Sequence, residues 1–341
     1  MAAVLFLLGA RFRHRWRSWL ALSLLIALVS GLVLAGVVAG RRTATAFPRY
    51  LAAHGFDSFV LSAAPIPKIA TLPGVSSAAL VHLIASGPPA CACSRPINGT
   101  DLTVEEVAPA SLSRVVKLVA GRMPDQSRPD QVLASFTLAQ DAGVHVGTAI
   151  RIPLYSPSQR GALLNGAGVR PAGPAVTVRV VGIEASENEF PATNTPGYSL
   201  YPTQAFARIV NPETFAVPGY LVRLRNGAGG LPRFQAQAQA LGAAVGADED
   251  GTTSAVESSI RPQALGWWIL AGLAALAGSV VIAQALSRQA AIEAESYPTL
   301  SALGTSRRQL VALGLAATLV VAAAGAIGGM VLAFLLSPCR W

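Results

Sequence analysis

Three stretches of this chain carry no charged side chain: Trp19–Ala39 with 21 residues, Trp267–Leu286 with 20 and Leu310–Leu336 with 27. A helix rises about 1.5 Å per residue, so each run reaches about 30 Å or more, the thickness of a bilayer's hydrocarbon core. A single run of this kind also suits a buried helix of a soluble protein. Three in 341 residues point to three transmembrane helices, the longest with room to tilt. Composition agrees: apolar residues make up 52% and charged residues 13%, about half the charged share of a soluble domain.

The first run follows a basic stretch, as the core of a signal peptide does. Its apolar part exceeds the ~7–15 residues of such a core. It ends in Gly40, Arg41 and Arg42 rather than a small-residue cleavage site. The reading is an uncleaved anchor; cleavage after Ala39 is the alternative. Lys and Arg flanks set orientation. Arg11, Arg13, Arg15 and Arg17 precede the run, and Arg41 and Arg42 follow it. Arg288, Arg307 and Arg308 lie between the second and third runs. Both biases place the N-terminus and that loop in the cytoplasm. The expected order is a basic cytoplasmic segment 1–18, helix 19–39, an extracytoplasmic domain 48–264, helix 267–286, a cytoplasmic loop 287–309 and helix 310–336. The fold class is then an α-helical membrane protein with a large α+β extracytoplasmic domain inserted between helices 1 and 2.

That order resolves the charge. A net charge of +9 and a pI near 10.2 suit a nucleic-acid partner when taken alone. Residues 49–264 hold 16 basic and 15 acidic side chains, which leaves 10 and 2 for the rest of the chain. The excess therefore flanks the membrane runs and orients them. No nucleic acid is needed to explain it.

The outer segment reads as mixed α and β. Ala79–Ser86, Gln131–Phe136, Ala149–Tyr155, Val176–Ala185 and Tyr220–Arg225 alternate or run apolar, as strands do. Thr137–Ala142 and Leu231–Gly242 read as helices, and Ser156–Pro174 as a Gly/Pro/Ser loop. The patterns G-x-S-x-G, H-E-x-x-H and the P-loop are absent, so neither an enzyme activity nor a cofactor is expected. Cys91 and Cys93 are poorly spaced for a mutual disulfide. A metal site needs two further ligands, with His82 and His54 the nearby candidates. The simpler reading is a surface turn with two thiols. Glu184, Glu187 and Glu189 read as a solvated loop, as do Asp248, Glu249 and Asp250. His145, between Gly143 and Gly147, reads as a turn residue. Asn98-Gly99-Thr100 matches a glycosylation acceptor, a pattern common by chance.

Two stretches go further. Gly121-Arg122-Met123-Pro124 is followed by Pro129-Asp130-Gln131-Val132-Leu133-Ala134-Ser135 and by Leu138-Ala139. Then come Gly143-Val144-His145-Val146-Gly147-Thr148 and Val178-Arg179-Val180-Val181-Gly182-Ile183. This succession resembles the extracytoplasmic core domain of MacB/FtsX-type ABC transporter permeases. Ile69-Ala70-Thr71-Leu72-Pro73-Gly74-Val75 resembles the turn that opens that domain. The second stretch, Glu293 to Leu310, resembles the cytoplasmic loop of FtsX-like permeases, whose hallmark is L-R-A-L-G-x-x-R-R-Q. Here Leu300-Ser301-Ala302-Leu303-Gly304-Thr305-Ser306-Arg307-Arg308-Gln309 stands in its place, with Ser301 for the usual Arg. Tyr297-Pro298-Thr299 resembles the form found in large actinobacterial members.

The resemblance implies a permease subunit in a bacterial cell membrane. It implies a separate ATPase subunit, since this chain has no Walker-type loop, and a second permease unit, identical or not. It assigns the ATPase contact to the loop, through Glu293, Glu295, Leu300, Leu303, Gly304, Arg307 and Arg308. The physics of the loop reads independently. Leu300, Leu303 and Leu310 form an apolar stripe at near-helical spacing, and Pro298 favours a break or a helix start. Gly304 permits a tight turn, and Arg307 and Arg308 reach lipid phosphate. Such an element docks in a groove on a soluble partner or simply lies on the bilayer. Two rival classes stand beside the permease: a membrane-anchored sensor or binding protein of the envelope, and a non-functional remnant. Simple permeases of this family have four spans, and the large type has a second permease half. Three runs followed at once by Ser337-Pro338-Cys339-Arg340-Trp341 lead to the expectation of a truncated chain.

Overall fold

The computed structural model describes residues 2–98, 102–190, 197–246, 249–294 and 306–336. The chain divides into two compact units, Met1–Ala46 with Ser258–Trp341, and Phe47–Glu257. It begins in α1 (Ala2–His54), a helix of 53 residues. Next come β1 (Ser58–Leu61), β2 (Val75–Ile84), β3 (Ala90–Cys91) and β4 (Leu102–Val107). Helix α2 (Pro109–Val115) leads to β5 (Lys117–Gly121) and β6 (Gln131–Ser135), and α3 (Phe136–Ala142) to β7 (Ala149–Pro153). Helix α4 (Arg160–Leu164) precedes β8 (Ala175–Ala185) and β9 (Tyr198–Pro202). Then follow α5 (Gln204–Val210), β10 (Ala216–Leu224), α6 (Leu231–Ala240) and β11 (Ala244–Val245). Finally α7 (Glu249–Ala294) and α8 (Arg307–Leu336) return to the helical unit.

Local chemistry starts and stops the short helices. The Ser135 hydroxyl accepts from Leu138 N at 3.2 Å to cap α3, and the Thr203 hydroxyl accepts from Phe206 N at 3.2 Å to cap α5. Gly143, at φ +70°, ends α3. Prolines open α2 and α6, where a missing N–H costs nothing. The Ser156–Pro174 stretch is more ordered than its composition suggests. A Ser156/Gln159 capping box starts a short 3₁₀ turn that runs into α4.

In the unit Phe47–Glu257, the sheet unit, the strands form one mixed sheet, in the order β11-β1-β10-β2-β4-β9-β6-β8-β7-β3. Strands β4/β9 and β6/β8 pair in parallel; the other pairs are antiparallel. The long strand β8 carries β6 along one side. Its other side is shared, with β7 on residues 175–179 and β5 on residues 182–185. Every residue of β6 is buried, so the sheet is covered on both faces there. Val132 and Ala134 join one core with Leu138, Ile150, Leu200 and Phe206. Leu133 joins another with Val81, Tyr201 and Leu221. A third core gathers Val60, Ile69, Val222 and Phe234.

The other unit holds three helical segments long and apolar enough to cross a membrane, Trp16–His54, Ser258–Ile292 and Gly314–Leu335. Helix α1 runs on into the sheet unit. Within the helical unit small residues line the contacts. A Cβ on Gly36 would touch that of Ala271 at 3.0 Å, and one on Gly328 that of Ala27 at 2.9 Å. Gly325 lies against Ile26, Gly329 against Ser30 and Gly278 against Val29. Such contacts let helices approach closely where apolar burial gives no drive. Large apolar side chains point away from these contacts: Leu24, Leu28, Leu273, Leu276, Leu319 and Leu335 are all exposed.

Candidate functional site

The residues assigned to an ATPase contact fall at the end of α7, at the start of α8 and in the segment between them. Glu293 lies in the last turn of α7, and Arg307 and Arg308 open α8. The side chain of Arg308 is exposed. Glu295, Leu300, Leu303 and Gly304 lie outside the described residues.

The scattered motif residues of the sheet unit converge on β8. Gly121 pairs with Gly182 across the β5/β8 ladder. Leu133, Ala134 and Ser135 pair with Gly182, Ile183 and Glu184 on the other side. Arg122 N donates to Val181 O at 3.1 Å, and Gly147 N to Val180 O at 2.7 Å. The Gln131 side-chain oxygen accepts from Asp125 N at 2.9 Å and from Arg122 Nη1 at 3.2 Å. The Gly-Arg-Met-Pro turn is thereby tied to the start of β6. Gly121 has φ +78°, and a Cβ there would lie 2.8 Å from Gly182 Cα. A Cβ on Gly182 would lie 2.5 Å from Arg122 O. Two glycines are required because two backbones meet with no room for a side chain.

Directly beyond this crossing sits a group of carboxyls. The solvated-loop reading of Glu184, Glu187 and Glu189 is overturned: they are 0%, 5% and 2% exposed. Strand β8 continues to Ala185 with ladders on both sides, which carries Glu184 into the interior. The chain then folds back in a turn over residues 187–189, capped by reciprocal Ser186 and Glu189 side-chain contacts. Glu187 Oε2 accepts from Phe56 N at 2.9 Å. The Tyr50 hydroxyl donates to Ala185 O at 3.0 Å. Phe190 packs its ring against Phe47, Tyr50 and Phe136 at centroid distances of 5.5–5.9 Å. Glu105, from β4, is 2% exposed. Burial pushes the Glu105 and Glu189 carboxyls up to about 7. Burial, and then the neighbouring Glu189, push Glu184 well above the usual carboxylate range.

The candidate metal ligands do not assemble. His82 Nδ1 lies 2.7 Å from Glu106 Oε2. That pair lines a cavity of about 200 Å³ together with Leu80, Ile84, Gln204 and Arg208. The His54 ring lies against Tyr50. Among the described residues no cluster of three His, Cys, Asp or Glu is placed to hold an ion. His145 occupies an exposed turn, its Nδ1 3.2 Å from Gly143 O. The expectation for Cys91 and Cys93 is corrected: they form a disulfide. Ala92 bends the chain at the end of β3 and brings the two Cα atoms to 5.2 Å, inside the ~4.4–6.8 Å that a disulfide spans. Both cysteines are half-buried and pack against the largest core.

No protein-family model matches this chain, and no curated protein does. Solved structures give looser likenesses. One is a crystallised domain of a protein from Porphyromonas gingivalis described as a permease, with 18% identity and a TM-score of 0.29. The match covers 55% of this chain and 77% of that one. Another is the periplasmic region of MacB from Actinobacillus actinomycetemcomitans, with 10% identity and a TM-score of 0.32. It covers 61% of this chain and 95% of that one. Neither superposition is close enough to fix the fold or to transfer a function.

Proposed function

We propose that the chain is the permease subunit of an ABC transporter of the MacB/FtsX type. It couples ATP hydrolysis by a separate ATPase subunit to motion of the outer domain, for export or for transmission of force across the membrane. One observation carries the reading. A mixed-sheet unit interrupts a helical unit between its first and second apolar helices, and the motif residues of that sheet gather on β8.

Three further features support it. The helical unit turns its large apolar side chains outward, as lipid-facing helices do. The outer unit carries a disulfide, a bond that persists in oxidising compartments. Helices α1 and α7 both pass from one unit to the other without a break in helix, and each has an internal proline close to the passage, Pro48 and Pro262. An interior proline removes a backbone hydrogen bond and gives a helix a place to bend. In this mechanism the N-terminus and the 287–309 loop lie in the cytoplasm. Closure of the ATPase pushes the Glu293–Arg308 segment, α7 and α1 move, and the outer unit follows. The working assembly contains two permease units and two ATPase subunits in the cell membrane.

Co-purification with an ATPase encoded beside the gene tests the reading. The full chain should retain the ATPase, and changing Leu300, Leu303 and Arg307 to Asp should lower retention at least about tenfold, the loss of roughly 1.4 kcal/mol. Undiminished association would remove this loop from the contact. A second reading, an envelope sensor or binding protein, is favoured by the cavity at His82 and Glu106. Full activity without any nucleotide would select it.

A further inference from the structure

We propose that Glu184 and Glu189 share one proton, and that this buried proton holds the turn after β8 against the C-terminal end of α1. Both side-chain oxygens of Glu184 and Oε1 of Glu105 are buried and accept no hydrogen bond. A buried carboxylate in that state is costly unless a donor or a proton compensates it.

Among the described residues no cation is one of the charges that act on Glu184. Glu105 faces Glu184 from β4, Tyr201 from β9, Glu189 from the turn and Tyr50 from α1. In register, β6 opposes Glu184 with Ser135 and β5 with Leu118, neither of them charged. The charges that act on Glu184 are those of Glu189 and Glu105, both of its own sign. As two carboxylates, Glu184 and Glu189 repel inside a low-dielectric interior and offer acceptors only. With one proton between them, the same approach becomes a charge-assisted O–H···O⁻ hydrogen bond, among the strong ones.

The proton has a mechanical role because of what the turn holds. Glu189 caps Ser186, Glu187 accepts from Phe56 N, Ala185 O accepts from Tyr50, and Phe190 packs on Phe47 and Tyr50. Loss of the proton places two like charges beneath all four contacts. The folded carboxyls lose their proton at higher pH than the same groups in an unfolded chain. The stabilisation is therefore complete below about pH 4.3, the unfolded carboxyl range. It falls as pH rises through about 7.

Hydrogen–deuterium exchange on the full chain in detergent tests this, with exchange corrected for its intrinsic pH dependence. Peptides covering residues 47–61 and 182–190 should open about tenfold more at pH 8.5 than at pH 6. In Glu184→Gln, which keeps the shape of the protonated acid, the change should stay below about twofold. An equal pH dependence in Glu184→Gln, or greater protection at pH 8.5, would overturn the proposal. Infrared spectroscopy of the wild-type chain needs no variant: a protonated carboxyl stretch must be present at pH 6, and its absence sinks the idea. Should Glu184→Gln fail to fold, Glu189→Gln carries the same comparison.

Discussion

The two units place opposite kinds of residue inside. In the helical unit Gly, Ala and Ser recur at the contacts between helices, a small cluster of Trp19, Leu22 and Val321 is buried, and most large apolar side chains face out. In the sheet unit Leu133, Leu138, Ile150 and Phe206 are within 1% of complete burial, and five glutamates, Glu105, Glu106, Glu184, Glu187 and Glu189, are buried too. Water is the reason for the difference. In water the drive to bury leucine is large, about 25 cal/mol per Å² of apolar surface. In lipid that drive is absent, and close backbone approach through small residues replaces it. One chain thus carries two packing rules, each suited to a different solvent.

Leucine truncation breaks or upholds this contrast with the largest effect. Leu133→Ala removes a fully buried side chain and should destabilise the sheet unit by about 3–4 kcal/mol. Leu276→Ala removes one that is 68% exposed and should change stability by less than about 0.5 kcal/mol. The signals separate cleanly. Residues 47–257 contain no tryptophan, whereas Trp16, Trp19, Trp267 and Trp268 lie in the helical unit. Urea unfolding in detergent, followed by tyrosine near-UV dichroism and by tryptophan fluorescence, reads each unit apart. Similar losses for both variants would mean that the helical unit packs like a water-soluble core.

Glycine enlargement is the reciprocal test and the next largest effect. Gly329→Leu drives a side chain into Ser30 of the facing helix, and overpacking of this kind costs about 1–3 kcal/mol. Gly272→Leu enters open space and should leave the tryptophan-monitored transition within about 0.5 kcal/mol of the parent, or raise it. If Gly272→Leu proves as harmful as Gly329→Leu, the face carrying Gly272 meets a partner rather than lipid.

How much of each unit could be read beforehand follows from the same contrast. The helical segments announce themselves, because an uninterrupted apolar run is a local property of the chain. In the sheet unit β6, β8, α3 and α6 were legible from local alternation or helical patterning, to within a residue or two. Strand β4 was not, because Leu102-Thr103-Val104-Glu105-Glu106-Val107 shows two acids where burial predicts apolar residues. Glu106 is satisfied by His82, which is 24 residues away in sequence. At Glu184 the neighbours on either side, β5 and β6, come from elsewhere in the chain. No local window contains those partners, so acid next to acid reads as a solvated loop. The Gly121 and Gly182 positions were visible as a motif, but their reason, a backbone crossing, appears only in three dimensions. The loop assigned to the ATPase rests on sequence likeness alone.

The cysteine pair sharpens the contrast with the smallest effect. Closing a loop of three residues stabilises a fold by about 1.5 kcal/mol in the chain-entropy model. Replacing Cys91 and Cys93 with Ser in a Cys339→Ser background should therefore lower the tyrosine-monitored transition by about that amount. The tryptophan-monitored one should stay in place, because the bond belongs to the sheet unit. The same background reports which solvent that unit meets. A membrane-impermeant thiol reagent applied to intact cells should fail to label the Cys339→Ser chain, then label it after an impermeant reductant. Labelling without reductant means free thiols and removes the disulfide. Labelling only after the cells are broken places the sheet unit in the cytoplasm and inverts the proposed orientation, while leaving the packing contrast between the two units intact.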